Sequence, residues 1–433
     1  MMGYRKLKAM IMILCFTLMM NMAFTLQPSP TNAAPAPLAP LQLDANSAVL
    51  IEESTGQVLY SMNADVAYPP ASMSKMMTEY IVMEHIQSGK LTWEQSVTTT
   101  ENAAAQIGSR IFLAEGDQHS VKDLYTAMAV GSANDATVAL AEQISGTEQT
   151  FVKLMNDTAK RLGLSDKTHF INATGLSRSD MPDAFRPQAA DKETLMTAMD
   201  SAKLAYHIVK DHPETLEISK IPSYKFRERD TKPMINYNWM LEGNKDNENF
   251  RKYVYEGLDG LKTGHTSQAG YCFTGTAKRG EMRLISVVMG AKTEPKRFIE
   301  TKKVLDYGFN NFELKTIVAE GAELPDVKTA KVTKGKELEI PVVAEKAISV
   351  VMRKGDTPES VKITTTPTAA DKLVAPIKKG QEVGIVTLTY GDSKQTMKLV
   401  AKEDMSKAGG LKLFFRGIKE FFGELFSGIK NLF

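Results

Sequence analysis

Hydrophobic positions along this chain change their spacing repeatedly, and each change predicts a different element. An apolar run, Ala9 to Met20, stands behind Arg5, Lys6 and Lys8. Residues 34–43 are proline-rich, and Ser47 to Ile51 and Gln57 to Tyr60 then flank Glu53-Ser54-Thr55-Gly56 as a β-hairpin. Pro69-Pro70 ends that texture, because proline removes a backbone donor and fixes its own φ. Good helix formers follow with no breaker until Ser88-Gly89, so a helix is expected from about Ser72. Helical spacing continues over roughly 121–129, 135–144, 148–162 and 190–209, with Ser120 to Asp123 as a capping box and a loop over 163–189.

Beyond Gly257 the period shortens. Ala269 to Lys278 and Met282 to Gly290 are rich in β-branched and aromatic residues, are joined by Arg279-Gly280, and predict a second hairpin. A helix from about Pro295 to Asp306 follows it. Strands at both ends with helices between them predict an α+β fold, in which one antiparallel sheet packs against a helical cluster. From about 315 to 400 helical spacing disappears, and short β runs alternate with Lys-Gly, Gly-Asp and Pro punctuation. That predicts a small all-β sandwich. It contains no histidine or cysteine, hence no catalytic constellation of those residues.

The final stretch, from Leu411 to Phe433, returns to helical spacing behind Gly409-Gly410. Phe414, Phe415, Phe421 and Phe422 fall in it, and Lys412, Arg416, Lys419 and Lys430 outnumber Glu420 and Glu424. It is too charged to span a bilayer. Docking on the β domain is one use for such a helix; lying in a membrane interface is the use its phenylalanines favour.

Composition sets the address. Thr31-Asn32-Ala33 offers a small-x-small cleavage site, so 1–33 reads as a secretory signal peptide. Cys15 follows Leu14 rather than a small residue, which argues against a lipid-modified cysteine. Cleavage leaves Cys272 alone, so the exported chain has no internal disulfide, and Tyr271-Cys272-Phe273 reads as packed strand. A formal net charge of +2 over 433 residues gives no reason to expect nucleic acid as a partner.

Candidate chemistry begins at Ser72 and Lys75. Three apart on a helix, they share a face, and a lysine amine can then reach a serine hydroxyl as its base. The pattern alone is weak, since Ser427-Gly428-Ile429-Lys430 repeats it in the tail. Ser132-Ala133-Asn134 follows at a Gly131-marked break between two helices, and Lys262-Thr263-Gly264 enters the third strand. In their extended forms, Ala71 to Lys75, Ser132 to Ala136 and Lys262 to Ser267, these motifs resemble low-molecular-mass penicillin-binding proteins that act as D-alanyl-D-alanine carboxypeptidases. The resemblance covers about 44–400 and extends to the appended β domain and the amphipathic tail.

That resemblance implies a division of labour. Ser72 would be the nucleophile and Lys75 its base, kept unprotonated by burial and by the nearby cation Lys262. Ser132 would relay a proton to the leaving amine, and Asn134 would hold the substrate amide and the lysine side chain. The N–H groups of Ser72 and His265 would form the oxyanion hole. Lys262, Thr263 and Gly264 would line the substrate site, with Arg297 helping to bind the terminal carboxylate. The partners implied are a peptidoglycan stem peptide ending in D-Ala-D-Ala, β-lactams as covalent inhibitors, and the membrane surface.

No cofactor is expected. The six histidines lack metal spacing such as His-Glu-x-x-His, and neither a Gly-x-Ser-x-Gly elbow nor a glycine-rich phosphate loop occurs. Ser74 stands where the family has threonine, and Thr174 precedes Gly175-Leu176 where the family often has histidine. A β-lactamase would need a second base, and no Glu-x-x-x-Asn lies between Ser132 and Lys262. A non-enzymatic β-lactam sensor is opposed by intact Ser72, Lys75 and Lys262. The expected order is a signal peptide (1–33), a lead-in (34–43), a catalytic domain (44–314), a β-sandwich (315–405) and an anchoring helix (406–433), in a protein at the outer face of the cytoplasmic membrane.

Overall fold

The computed structural model describes residues 38–187 and 192–419. The signal peptide and residues 420–433 of the expected anchor lie outside them. The chain divides at Pro40/Leu41, and the architecture below belongs to Leu41–Phe433.

Five antiparallel strands form the first sheet: β1 (Ser47–Glu52), β2 (Val58–Met62), β3 (Leu258–Thr266), β4 (Gly270–Arg279) and β5 (Met282–Ala291). Their order is β2-β1-β5-β4-β3, so the N-terminal hairpin closes on the C-terminal one, with Val49 opposite Val287 and Ile51 opposite Ile285. This order leaves β3, which carries Lys262, at the sheet edge.

Side chains alternate across the sheet. Val49, Ile51, Ile285 and Val287 point into a core shared with α1 (Lys75–Gln87). Further helices in the domain are α2 (Val121–Gly131), α3 (Asn134–Ser145), α4 (Glu148–Arg161), α5 (Ala198–Asp211) and α6 (Glu294–Asn311). Leu50 and Leu284 point the other way, onto α6. A Cβ on Gly308 there would come within 2.5 Å of Leu284 and 2.7 Å of Leu50, which explains a glycine inside that helix.

The helix α1 serves two cores. Met76, Met77, Tyr80 and Ile81 join the sheet-facing one, whereas Val82 and Met83 join an all-helical one with α2 and α3. Every residue from Lys75 to Met83 is buried. Such a helix should be apolar all round. This one buries Lys75, Thr78 and Glu79, residue types that packing alone does not favour.

Three local readings need correction. The helix expected from Ser72 starts as a 3-10 turn, Ala71–Ser74, because Ala71 takes φ +50° after Pro70, and α1 proper begins at Lys75. The helix expected over 190–209 starts at Ala198. Met196–Thr197 pair instead with Ala67–Tyr68, and the Thr197 side chain caps α5 by accepting the Asp200 N–H. Glu101–Ala105 and Thr215–Ser219 are short helices the pattern did not reveal, since five residues hold barely more than one helical period.

The β domain pairs β6 (Phe312–Val318) with β9 (Ile348–Arg353). Facing them is a five-stranded sheet of β7 (Thr329–Lys331), β8 (Glu339–Ala344), β10 (Lys362–Pro367), β11 (Glu382–Tyr390) and β12 (Ser393–Ala401), in the order β7-β8-β12-β11-β10. Val350 and Met352 from one sheet meet Val342, Val386, Leu388 and Leu399 from the other in a single core. Residues 410–419 are helical.

Candidate active site

Ser72 lies in the 3-10 turn and Lys75 at the start of α1. Lys75 Nζ is 2.9 Å from Ser72 Oγ and donates to the Thr174 carbonyl, also at 2.9 Å. The second contact aims the first. With one hydrogen committed to Thr174, a neutral amine can turn its lone pair toward the serine hydroxyl. The approach depends on Gly175, whose φ is +78° and where a Cβ would fall 1.9 Å from the Ala71 carbonyl.

The second motif sits at the junction of α2 and α3. Ser132 takes φ +54° and its hydroxyl is buried without a protein partner. The Asn134 N–H donates to the Ser109 carbonyl (2.7 Å) and its side-chain amide to the Ile107 carbonyl (2.5 Å). Asn134 therefore holds the 107–109 segment and is not hydrogen-bonded to Lys75, contrary to the contact the resemblance suggested. Its Oδ1 is buried and unpaired.

The third motif is brought in by the edge strand β3. Lys262 and Thr263 are buried beside the slot. At Gly264 a Cβ would meet the Pro70 carbonyl at 2.4 Å and the Ser72 nitrogen at 3.2 Å, so only glycine lets β3 lie this close to the Ser72 turn. The resulting slot, about 240 Å³, is lined by Ser72, Ser109, Ser132, His265, Tyr271, Glu294 and Arg297 among others. A larger cavity of about 870 Å³ lies along α4, but its one serine, Ser165, is committed to Asp200. Size does not locate the chemistry here.

Electrostatics single out the same place. Burial first, and the Lys262 charge second, hold Lys75 well below the ordinary lysine value; Glu79 and Asp135 oppose the shift. Lys262 is also lowered, by burial and by Arg297, against the pull of Glu79. Burial raises Glu79 while both lysines oppose. Two buried ammonium groups close enough to act on one another cannot both stay protonated at low cost.

Arg297, on α6, lines the same slot. Its guanidinium donates to Glu294 Oε1 (2.7 Å) and to the Gly264 carbonyl (3.4 Å), and lies 5.6 Å from the Tyr271 ring centre. His265 stacks on Tyr271 at 4.1 Å. Burial lowers Arg297 to about 10, so it stays cationic at neutral pH.

Every site residue expected from the sequence therefore lies at or around one slot. The residues missed are those whose role is to hold others. Glu79 could have been found by its i, i+4 spacing from Lys75. Asp135 sits inside the second motif and accepts the N–H groups of Ile111 (3.0 Å) and Leu113 (3.1 Å). Thr174 contributes a carbonyl, which no side-chain pattern reveals.

Known proteins resemble this chain over most of its length. Residues 31–293 match the family model for D-alanyl-D-alanine carboxypeptidase, and 312–407 that for the penicillin-binding protein 5 C-terminal domain. The D-alanyl-D-alanine carboxypeptidase DacF of Bacillus subtilis is 38% identical over 84% of this chain and 87% of its own. A crystal structure of a peptidoglycan synthesis regulatory factor (PBP3) from Streptococcus pneumoniae is 31% identical with TM-score 0.74, covering 84% of this chain and 100% of that one. Penicillin-binding protein D2 of Listeria monocytogenes, solved in an ampicillin-bound form, is 35% identical with TM-score 0.53, covering 63% and 100%. With its serine–lysine slot, its edge strand and its appended β domain, this chain belongs to the D-alanyl-D-alanine carboxypeptidase family, as a serine hydrolase of the low-molecular-mass penicillin-binding class.

Proposed function

We propose that the chain removes the terminal D-alanine of peptidoglycan stem peptides through an acyl-enzyme on Ser72. The observation that carries the assignment is the 2.9 Å contact from Lys75 to Ser72 Oγ, with the amine oriented by Thr174 and its proton affinity lowered by burial and by Lys262.

Neutral Lys75 takes the Ser72 proton as Oγ attacks the penultimate D-alanine carbonyl. The N–H groups of Ser72 and His265 receive the developing oxyanion. Ser132 relays the proton held by Lys75 to the leaving nitrogen, the C–N bond breaks, and free D-alanine departs, with Lys75 neutral again. Water then hydrolyses the ester. Lys262, Thr263 and Arg297 hold the substrate carboxylate, and Asn134 Oδ1 is available to the N–H of the acyl donor. A β-lactam entering the same slot would acylate Ser72 and remain. Of the carboxylates around the slot, Asp135 is occupied by backbone N–H groups and Glu294 by Arg297, while Glu79 Oε1 is buried without a hydrogen-bond partner close to both lysines.

The domain divisions at 33, 43, 314 and 405 belong to this reading, as does export to the outer face of the membrane. No helix among the described residues is long and apolar enough to cross a bilayer. Peripheral attachment through the helix that begins near 410 is supported by exposed Leu411, Phe414 and Phe415.

Mass spectrometry of the mature protein after exposure to penicillin tests the assignment. One adduct per chain, on the peptide bearing Ser72, is expected. An adduct elsewhere would remove Ser72 as nucleophile.

A further inference from the structure

Among the described residues that line the slot, Glu294 is the one carboxylate. It stands in the first turn of α6, just after the capping Thr293, where a helix N-terminus favours an anion. Its Oε1 accepts from Arg297 Nη2 at 2.7 Å, one helical turn on. The two partners differ in freedom. The Arg297 side chain is 3% exposed, whereas that of Glu294 is 34% exposed.

The guanidinium has little else to hold it. Its contact with the Gly264 carbonyl is long, at 3.4 Å, and its Nε is buried without a hydrogen-bond partner. A buried cation in this position is costly unless a counter-charge stands beside it. Glu294 supplies that charge, and it does so from the wall of the slot.

A substrate that ends in a carboxylate brings a second anion to the same fork. One guanidinium can pair with two carboxylates, but the two anions then repel each other at short range. Arg297 has no room to step aside, since the rings of Tyr271 and Phe298 lie 5.6 Å and 4.8 Å from its central carbon. Glu294 can, because a third of its side chain already faces solvent. We propose that Glu294 is a positioning residue that stands in for the substrate's terminal carboxylate. It aims Arg297 before substrate enters and gives way, at a cost in affinity, when an anionic terminus arrives. The proposal rests on the carboxypeptidase reading, in which Arg297 receives that terminus. It accounts for an acid built into a site that must bind an acid.

The test compares the second-order rates at which benzylpenicillin and its methyl ester acylate Ser72, followed by mass spectrometry. The wild type should prefer the acid. Glu294→Gln keeps an acceptor for Arg297 and removes the charge. Its preference for the acid should therefore rise about three- to tenfold, the scale of one partly screened like-charge contact. On a D-Ala-D-Ala peptide the same variant should lower KM more than it changes kcat. Glu294→Ala removes the acceptor too, so its preference should fall below that of the glutamine variant as the guanidinium loses its aim. An unchanged or lower preference in Glu294→Gln would overturn the proposal and leave Glu294 as a support for the cation. An alanine variant equal to the glutamine one would overturn the aiming role. A wild type that reacts alike with acid and ester would instead remove Arg297 as the carboxylate's partner. Failure of the wild type to release D-alanine from any peptide would sink the carboxypeptidase reading itself.

Discussion

The catalytic domain and the β domain spend their interiors differently. Among the described residues, every buried polar or charged side chain lies between Ser47 and Thr301. The β domain buries only apolar side chains and glycine, with Ile340, Val350, Val386, Leu388 and Leu399 at its centre. A core built for stability alone would resemble the second, because an unpaired buried charge is expensive. Lys75, Glu79, Lys262 and Arg297 are therefore retained against stability, and they meet in one place. The contrast assigns chemistry to one domain and leaves support to the other.

The largest effects should come from breaking the polar cluster at its reacting atoms. Ser72→Ala should form no penicillin adduct and lose carboxypeptidase activity, read by mass spectrometry and by D-alanine release. Lys75→Arg should come close to that, because a guanidinium cannot lose its proton to become a base. Lys262→Arg keeps a cation and should lower the rate while still acylating. Equal and mild losses at both lysines would erase the distinction between base and neighbouring cation.

Why this much of the site was legible, and no more, follows from its physics. In the proposed mechanism Ser72, Lys75, Ser132 and Lys262 act through side chains within short motifs, so the motifs survive in a linear reading. That the two hairpins share one sheet followed from strand texture at both ends of the domain, whereas the edge position of β3 is set by the order of pairing. Glu79 acts across a packed interior, Thr174 through a carbonyl, and Asp135 by holding a loop on another part of the chain. Backbone inversion at Phe112, held by Asp135 and Arg227 through the N–H and carbonyl groups around it, leaves no local signature in Arg110-Ile111-Phe112. The start of α5 was misplaced for a similar reason, since pairing of Met196–Thr197 with Ala67–Tyr68 overrides local helical spacing.

A smaller effect should come from removing Glu79. Its anion opposes the lowering of both lysines. Glu79→Gln removes that opposition, so both should titrate at lower pH than in the wild type. Acylation needs Lys75 unprotonated and benefits from a charged Lys262. Its acid limb and its alkaline limb should therefore both move toward acid in a profile of penicillin acylation rate against pH. A lower rate at every pH with unmoved limbs would make Glu79 structural.

The other side of the contrast is tested by damaging the apolar core. Leu388→Ala should destabilise the β domain by about 2–5 kcal/mol in a denaturant titration. At temperatures where the chain stays folded, kcat/KM on a soluble D-Ala-D-Ala peptide should match the wild type. A matching loss of rate would mean that the two domains share the work.

The least effect on catalysis is expected at the end of the chain. In the described part of the tail, two cations reach back to the protein: Lys412 donates to the Lys336 carbonyl (2.5 Å), and Arg416 to the carbonyls of Gly335 (2.7 Å) and Lys336 (2.9 Å). Leu411, Phe414 and Phe415 are left 74%, 64% and 61% exposed. An arrangement with two of the cations tied to the protein and the rings outward suits an apolar surface better than an electrostatic one. Fully burying each such side chain contributes about 1.5–3 kcal/mol, whereas a free cation near an anionic leaflet adds about 1 kcal/mol. Binding of the intact protein to phosphatidylglycerol-containing vesicles should therefore persist at high salt, and Phe414→Ser with Phe415→Ser should weaken it. A chain ended at Lys407 should remain in solution and keep full activity on small peptides, because the slot draws on nothing beyond Arg297. If that truncation abolished activity, the helix would be a support for the fold. If salt alone released the intact protein, the attachment would be electrostatic and the exposed rings would have no part in it.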